Sequence, residues 1–267
     1  MPVAVPIAQL TTANLPTADR IVLVELAGEQ LIIKRQEPAR SALGYRLLNG
    51  LAKILRLPLL CAVHAPGGAA SQRIEIERLA ALHRAGVPVP QVRHIEQDWF
   101  AMSVAGEQSL EELLRASGPE QLEIWITGLQ AILHVHQCRQ NLSQAFTRNI
   151  MWQDGQIQFI DFEDDPAKSL PLAYAQSRDW LLYLQSSAYY LQADNTTLAQ
   201  SLLQQLMCDD PEVRALVLHS ARQLAFLRHL PKNRRPWGRD VVLLQRAAQV
   251  LHALNQVVAQ RSTSNTA

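Results

Sequence analysis

Asn149-Ile150-Met151-Trp152-Gln153-Asp154-Gly155-Gln156-Ile157-Gln158-Phe159-Ile160-Asp161-Phe162 is the stretch on which the fold turns. Apolar residues alternate on either side of Asp154-Gly155, which is the pattern of two short strands joined by a tight turn. Antiparallel pairing sets Asn149, at the start of the first strand, beside Asp161, at the end of its partner. An amide oxygen next to a carboxylate at a strand mouth makes a hard-oxygen site of the kind that suits Mg²⁺ with a nucleotide phosphate. The plainer reading is a surface hairpin with an ordinary polar end.

Upstream of the hairpin the chain is strand-rich. Ile21 to Leu26 and Gln30 to Arg35 read as a hairpin through Ala27-Gly28-Glu29, and Gln91 to Glu96 with Asp98 to Val104 as a second strand pair. Between them, Ser41 to Leu60 carries leucines at amphipathic-helix spacing, broken near Pro58 and flanked by Arg40, Arg46, Lys53 and Arg56. That segment fits a lid packed on the strands or a membrane-surface helix. Ser71 to Ala85 reads as a helix capped by Ser71 and ended by Gly86.

Downstream the pattern is helical. Ser109 is placed to cap a helix opening with Glu111 and Glu112, and Leu122 to His136 is another helix. After the hairpin, helices are expected at about 172–193, 197–207, 211–227 and 238–259, with a frayed tail from Arg261. Trp125, Trp180 and Trp237 are expected in the core or partly buried.

Composition narrows the classes. The chain has 267 residues, 48% of them hydrophobic, which is enough to bury a core and excludes wholesale disorder. Lys+Arg is 25 against Asp+Glu 24, a net of +1, so no global basic field points to nucleic acid. Cys61, Cys138 and Cys208 are odd in number and widely spaced, which argues against a disulfide framework or a zinc site. No apolar run is long enough to span a bilayer, and Met1 to Leu10 lacks the basic start of a signal peptide, so the expected location is the cytoplasm.

In order and motif, roughly Ile21 to Tyr183 resembles the protein-kinase-like superfamily, especially a small bacterial branch that includes lipopolysaccharide core sugar kinases, Kdo kinases and aminoglycoside or choline phosphotransferases. Leu133-His134-Val135-His136, then Arg148-Asn149-Ile150-Met151, then Ile160-Asp161-Phe162 follow that branch's leader, catalytic loop and metal-binding strand end. The resemblance implies ATP and Mg²⁺ as cofactors. It gives Asn149 and Asp161 the metal, Lys34 the α/β-phosphates, Glu75 the pairing with Lys34, and the backbone near Ser103, Val104 and Ala105 the adenine. Glu75 shares a helix face with Leu79 and Leu82, so an acid there needs a buried partner, and Lys34 is the candidate. By the same resemblance, Asp179 braces the catalytic loop; a surface helix charge is the alternative.

Three departures stand out. Gln144 occupies the position of the catalytic Asp, five residues before Asn149, and the usual His falls at Leu142. Gln orients a hydroxyl or water but accepts no proton. No GxGxxG precedes Lys34, which leaves Ala13 to Arg20 to cover the nucleotide or an abbreviated lobe. The third is the Ser41–Leu60 insertion. Glu163, Asp164 and Asp165 could replace the missing carboxylate, although they read first as a solvated acidic turn.

The expected fold is α+β and two-lobed, kinase-like, with a small antiparallel N-lobe over 1–102 and a mainly helical C-lobe over 103–267. The expected activity is ATP/Mg-dependent phosphotransfer to an alcohol group of a sugar, small molecule or lipid-linked glycan. Gln144 then orients the acceptor, with peripheral contact at the inner membrane surface as an option. The alternative is a catalytically silent pseudokinase that binds nucleotide as a regulator or scaffold.

Overall fold

The computed structural model describes residues 19–26, 28–36, 67–116 and 118–264. The Ser41–Leu60 segment and most of Ala13–Arg20 lie outside them. The first layer is a four-stranded antiparallel sheet of order β1-β2-β4-β3, built from β1 (Ile21–Leu26), β2 (Glu29–Arg35), β3 (Val92–Ile95) and β4 (Trp99–Ser103). Register sets its two faces. Val22 faces Ile33 and Val24 faces Leu31, while Ile33 faces Ala101; with Trp99 these form a small apolar cluster. The period of two then turns Ile32 and Lys34 to the opposite face, beside Met102 and Phe100.

That opposite face is covered by α1 (Gly68–Arg84). Glu75, Leu79 and Leu82 are all buried on it, at the spacing the sequence predicts. The helix starts three residues earlier than expected. Ser71 is therefore not its cap: Gly67 precedes the first turn, and the Ser71 hydroxyl accepts the Gly67 N–H at 2.9 Å. Gly86, at φ 82°, takes the left-handed position that ends the helix.

The remainder is mainly helical. It comprises α2 (Leu110–Arg115), α3 (Gln121–Gln137), α4 (Leu172–Ser187), α5 (Asn195–Met207), α6 (Pro211–Leu224) and α7 (Arg239–Ser264), with a second sheet of order β5-β6-β7 whose first strand precedes α2 and whose other two follow α3. In that sheet β5 (Gln108–Ser109) pairs with β6 (Ile150–Gln153), which pairs with β7 (Gln156–Phe159). Ser109 caps α2 in a reciprocal box with Glu112. One apolar core runs from Leu79 and Phe100 through Trp125, Phe162 and Trp180 to Val250 and Leu254. Trp237 differs from expectation: at 59% exposure it lies outside the core, in a short turn rather than on a packed helix face. The C-terminal helix also runs on to Ser264, past the expected fraying point. The architecture is α+β, a small antiparallel sheet followed by a mainly helical part, as expected. Among the described residues no helix is long and apolar enough to cross a membrane.

α3 and α4 approach closely at Gly128. A Cβ at Gly128 would stand 2.0 Å from the Tyr183 hydroxyl, which itself donates to the Trp125 carbonyl at 2.9 Å. Gly128→Ala should therefore cost about 1–3 kcal/mol of stability, as overpacking does, read as a lower urea midpoint at unchanged m-value.

Candidate active site

Lys34 leaves β2 into the space between the sheet and α1, where its side chain is only 6% exposed. A buried ammonium requires compensation. Three carboxylates supply it: Glu75 from α1 at 2.8 Å, Asp161 at 2.9 Å and Glu163 at 3.1 Å, the last two from the segment after β7. Arg20, just before β1, also hydrogen-bonds Glu163. Burial pulls the Lys34 pKa down, but the Glu75, Asp161 and Glu163 charges outweigh it and hold the group charged, above its usual range. Burial pushes Glu75 up to about 7, offset in part by Lys34. Asp161 goes the other way: Lys34, Arg20 and Arg148 overcome its burial and hold it below the usual carboxylate range.

The hairpin brings the backbone at Asn149 alongside the residue before Asp161. Asn149 closes a 3-10 turn (Thr147–Asn149) rather than opening the strand, and Asp161 lies two residues past β7. The ladder nonetheless continues, because the Ile160 N–H donates to the Asn149 carbonyl at 3.0 Å. The Asn149 amide nitrogen donates to the Gln144 carbonyl at 3.1 Å, which leaves its side-chain oxygen as the atom free to meet a cation. Glu75, Asp161 and Glu163 each offer an oxygen within 4.8 Å of the others. These are hard-oxygen donors of the kind Mg²⁺ takes, but here the Lys34 ammonium stands among them and is their counter-charge.

The expected acidic turn is a correction. Glu163 and Asp164 are 6% and 5% exposed, so they are not solvated. Glu163 is tied to Lys34 and Arg20, and Asp164 accepts the Gln144 side-chain amide at 3.2 Å. The other Asp164 oxygen is buried with no hydrogen-bond partner among the described residues. Burial raises the Asp164 pKa to about 6, against the opposing pull of Gln144 and Arg178. Only Asp165 keeps a turn role, accepting the Ala167 N–H. Arg148 is exposed, its guanidinium 4.6 Å over the Phe146 ring.

The loop from Gln140 to Phe146 is held from behind. Asp179, fully buried, accepts the Leu142 N–H at 2.7 Å, and Gln176 donates to the Gln140 carbonyl at 2.8 Å. From α1, Arg78 donates to the Asn141 carbonyl at 2.6 Å. His136 sits between two carboxylates, Asp209 at 2.7 Å and Asp179 at 3.4 Å; Asp209 also accepts the Trp180 indole N–H. The sequence carried no signal for this pairing, since Asp209 lies 73 residues beyond His136. Ser103, half-buried, closes the β4 end by exchanging bonds with Gln91, and Val104 and Ala105 follow it toward Gly106. Gly106, at φ 145°, passes so near β6 that a Cβ would stand 3.1 Å from the Trp152 carbonyl.

No family model and no curated protein matches the chain. Among solved structures it is similar to the crystal structure of an aminoglycoside-3'-phosphotransferase of type VIII, across 91% of this chain and 92% of that one, at 12% identity and a TM-score of 0.34.

Lys34→Met should cost about 3–5 kcal/mol in urea denaturation, because three carboxylates would lose their buried counter-charge. The Asp164 pKa is raised, so its contribution is fully present below the unfolded value of about 3.9 and is lost as pH rises through about 6. Between pH 4.5 and 7 the wild-type protein should lose on the order of 2 kcal/mol relative to Asp164→Asn, measured as the change in the difference of their unfolding free energies.

Proposed function

We propose that the chain is a kinase-like phosphotransferase that carries the γ-phosphoryl group of ATP to an alcohol group of a sugar, small molecule or lipid-linked glycan. The observation that supports this best is the meeting of Lys34, Glu75 and Asp161, which are 127 residues apart at the extremes, around one point beside Asn149. In this reading the lobes divide near residue 102, and Ser103 to Ala105 offer backbone groups to the adenine. Lys34 orients phosphate and Glu75 holds Lys34 in place. Asn149 and Asp161 would hold Mg²⁺, which offsets charge on the transferring group.

The missing catalytic Asp then has a replacement. Gln144 hydrogen-bonds Asp164, whose second oxygen is unpartnered and whose pKa of about 6 suits a proton acceptor near neutral pH. Asp164 is buried, so the acceptor must open the loop to reach it; Asp164 would then take the hydroxyl proton as the hydroxyl oxygen bonds to the γ-phosphorus and ADP leaves, with Gln144 aiming Asp164. Phosphoryl transfer rests mostly on positioning and charge stabilisation, so a modest base suffices.

One observation favours the second reading, a nucleotide-binding regulator without catalysis. Lys34 is already satisfied by three carboxylates, and the cavity beside it is about 10 Å³, room for one water at most. A triphosphate enters only if Glu163 or Asp161 yields its place on Lys34.

Thermal-shift titration with Mg-ATP should stabilise the protein, and Asp161→Ala should abolish the effect. Absence of a shift with every nucleotide would sink both readings. With a shift in hand, ATP turnover should appear with cell-envelope glycolipid extract and fall about 10²- to 10⁴-fold in Asp164→Asn while the Mg-ATP shift persists. A shift without turnover selects the regulator.

A further inference from the structure

A cavity of about 460 Å³ opens between the end of α2, the turn after α4 and the start of α7. It shares no lining residue with the Lys34 cluster. Three of its lining residues are arginines, Arg115, Arg234 and Arg239, and two are tyrosines, Tyr189 and Tyr190. None of the lining residues is acidic. The nearby carboxylate is Glu111, which pairs with both Arg115 and Arg239. Arginine thus outnumbers carboxylate around the mouth.

Two of these arginines are held in position. Arg239 donates to the Tyr190 hydroxyl as well as to Glu111, and Arg115 lies 5.3 Å over the Tyr190 ring. Fixed guanidinium forks lose little freedom on meeting a phosphate or carboxylate, which they bind through paired N–H groups. Arg234 is different: its side chain is exposed and makes no ion pair or hydrogen bond among the described residues. Tyr189 is 49% exposed and stands edge-on to Tyr190 at 5.5 Å, so much of its ring is open to a ligand. Val242 and Leu243 add an apolar wall. The volume lies in the range of small-molecule sites, and the mixture of charge, aromatic ring and apolar wall matches a molecule with both an acidic group and C–H faces.

We propose that this cavity binds an anionic sugar, a pyranose-sized ring bearing a phosphate or carboxylate. Arg234 and Arg239 take the anionic group, and Tyr189 stacks on the ring. The site is independent of nucleotide binding at Lys34. The competing occupant is an anionic membrane surface, toward which the exposed Arg235 and Trp237 would also be suited. The concave shape and the fixed Arg239 favour the small ligand.

Isothermal titration of the full chain at low salt with glucose 6-phosphate, glucuronate, glucose and inorganic phosphate tests this. Glucose 6-phosphate and glucuronate should bind, glucose at least tenfold more weakly, and Arg234→Glu and Arg239→Gln should each weaken both anions tenfold or more. Arg234→Glu breaks no side-chain bond among the described residues, so its melting temperature and its response to Mg-ATP should match wild type. That match separates failure at this cavity from failure at the Lys34 site. The proposal is overturned if neither anionic sugar binds, or if binding survives both substitutions. It is equally overturned if inorganic phosphate binds as tightly as glucose 6-phosphate, or if phosphatidylglycerol vesicles bind the chain and glucose 6-phosphate does not displace them.

Discussion

A single buried ammonium sets the terms for the rest of the molecule. Lys34 is enclosed between the sheet and α1, and an uncompensated charge there would unfold the region. Its three carboxylate neighbours come from α1 and from the segment after β7, so satisfying one side chain requires the sheet, the helix and the hairpin to arrive together. With Arg20 included, two cations face three anions, one net negative charge when all are ionised. Burial pushes the Glu75 carboxyl above its usual range, against the pull of Lys34. An anion such as phosphate meets Lys34 only if one of these carboxylates withdraws.

Behind this cluster lies a rigid support. The loop between α3 and the hairpin contains Ser143 in a left-handed conformation, and the backbone bonds within it are short-range turns such as Gln144 N–H to the Leu142 carbonyl. Further partners come from Asp179 and Gln176 on α4, from Arg78 on α1, and from Ser186, which accepts the Thr147 N–H at 3.0 Å. His136, between Asp179 and Asp209, joins that support to the turn before α6. The helices thus serve the loop twice, as an apolar core and as a row of directed acceptors and donors.

Much of this was legible in the chain. The two hairpins follow from alternation and turn residues, and Glu75 on the face of Leu79 and Leu82 is enough to ask for a buried cation. What was hidden is tertiary. Glu163 and Asp164 follow a strand in a run of acids, which locally describes a solvated turn; they are buried because Lys34, Arg20 and Gln144 reach them from distant positions. Gln144 read as a deficit because its partner lies twenty residues later. Ser71 read as a cap because Ser before a helical run usually is one, but α1 begins earlier and uses the same hydroxyl from inside its first turn. Trp237 read as core by residue type, which the turn that exposes it does not respect.

Asp161 has a backbone φ of 71°, which is unusual for a residue other than glycine. Short side chains that bond to their own backbone tolerate that conformation, and branched or bulky ones do not. The tolerated alphabet at this position is therefore close to Asp, Asn and Gly, and of these only Asp brings a negative charge to Lys34. Drift away from Asp would thus pass through Asn or Gly before any other residue, leaving the chain's path intact while erasing its electrostatics.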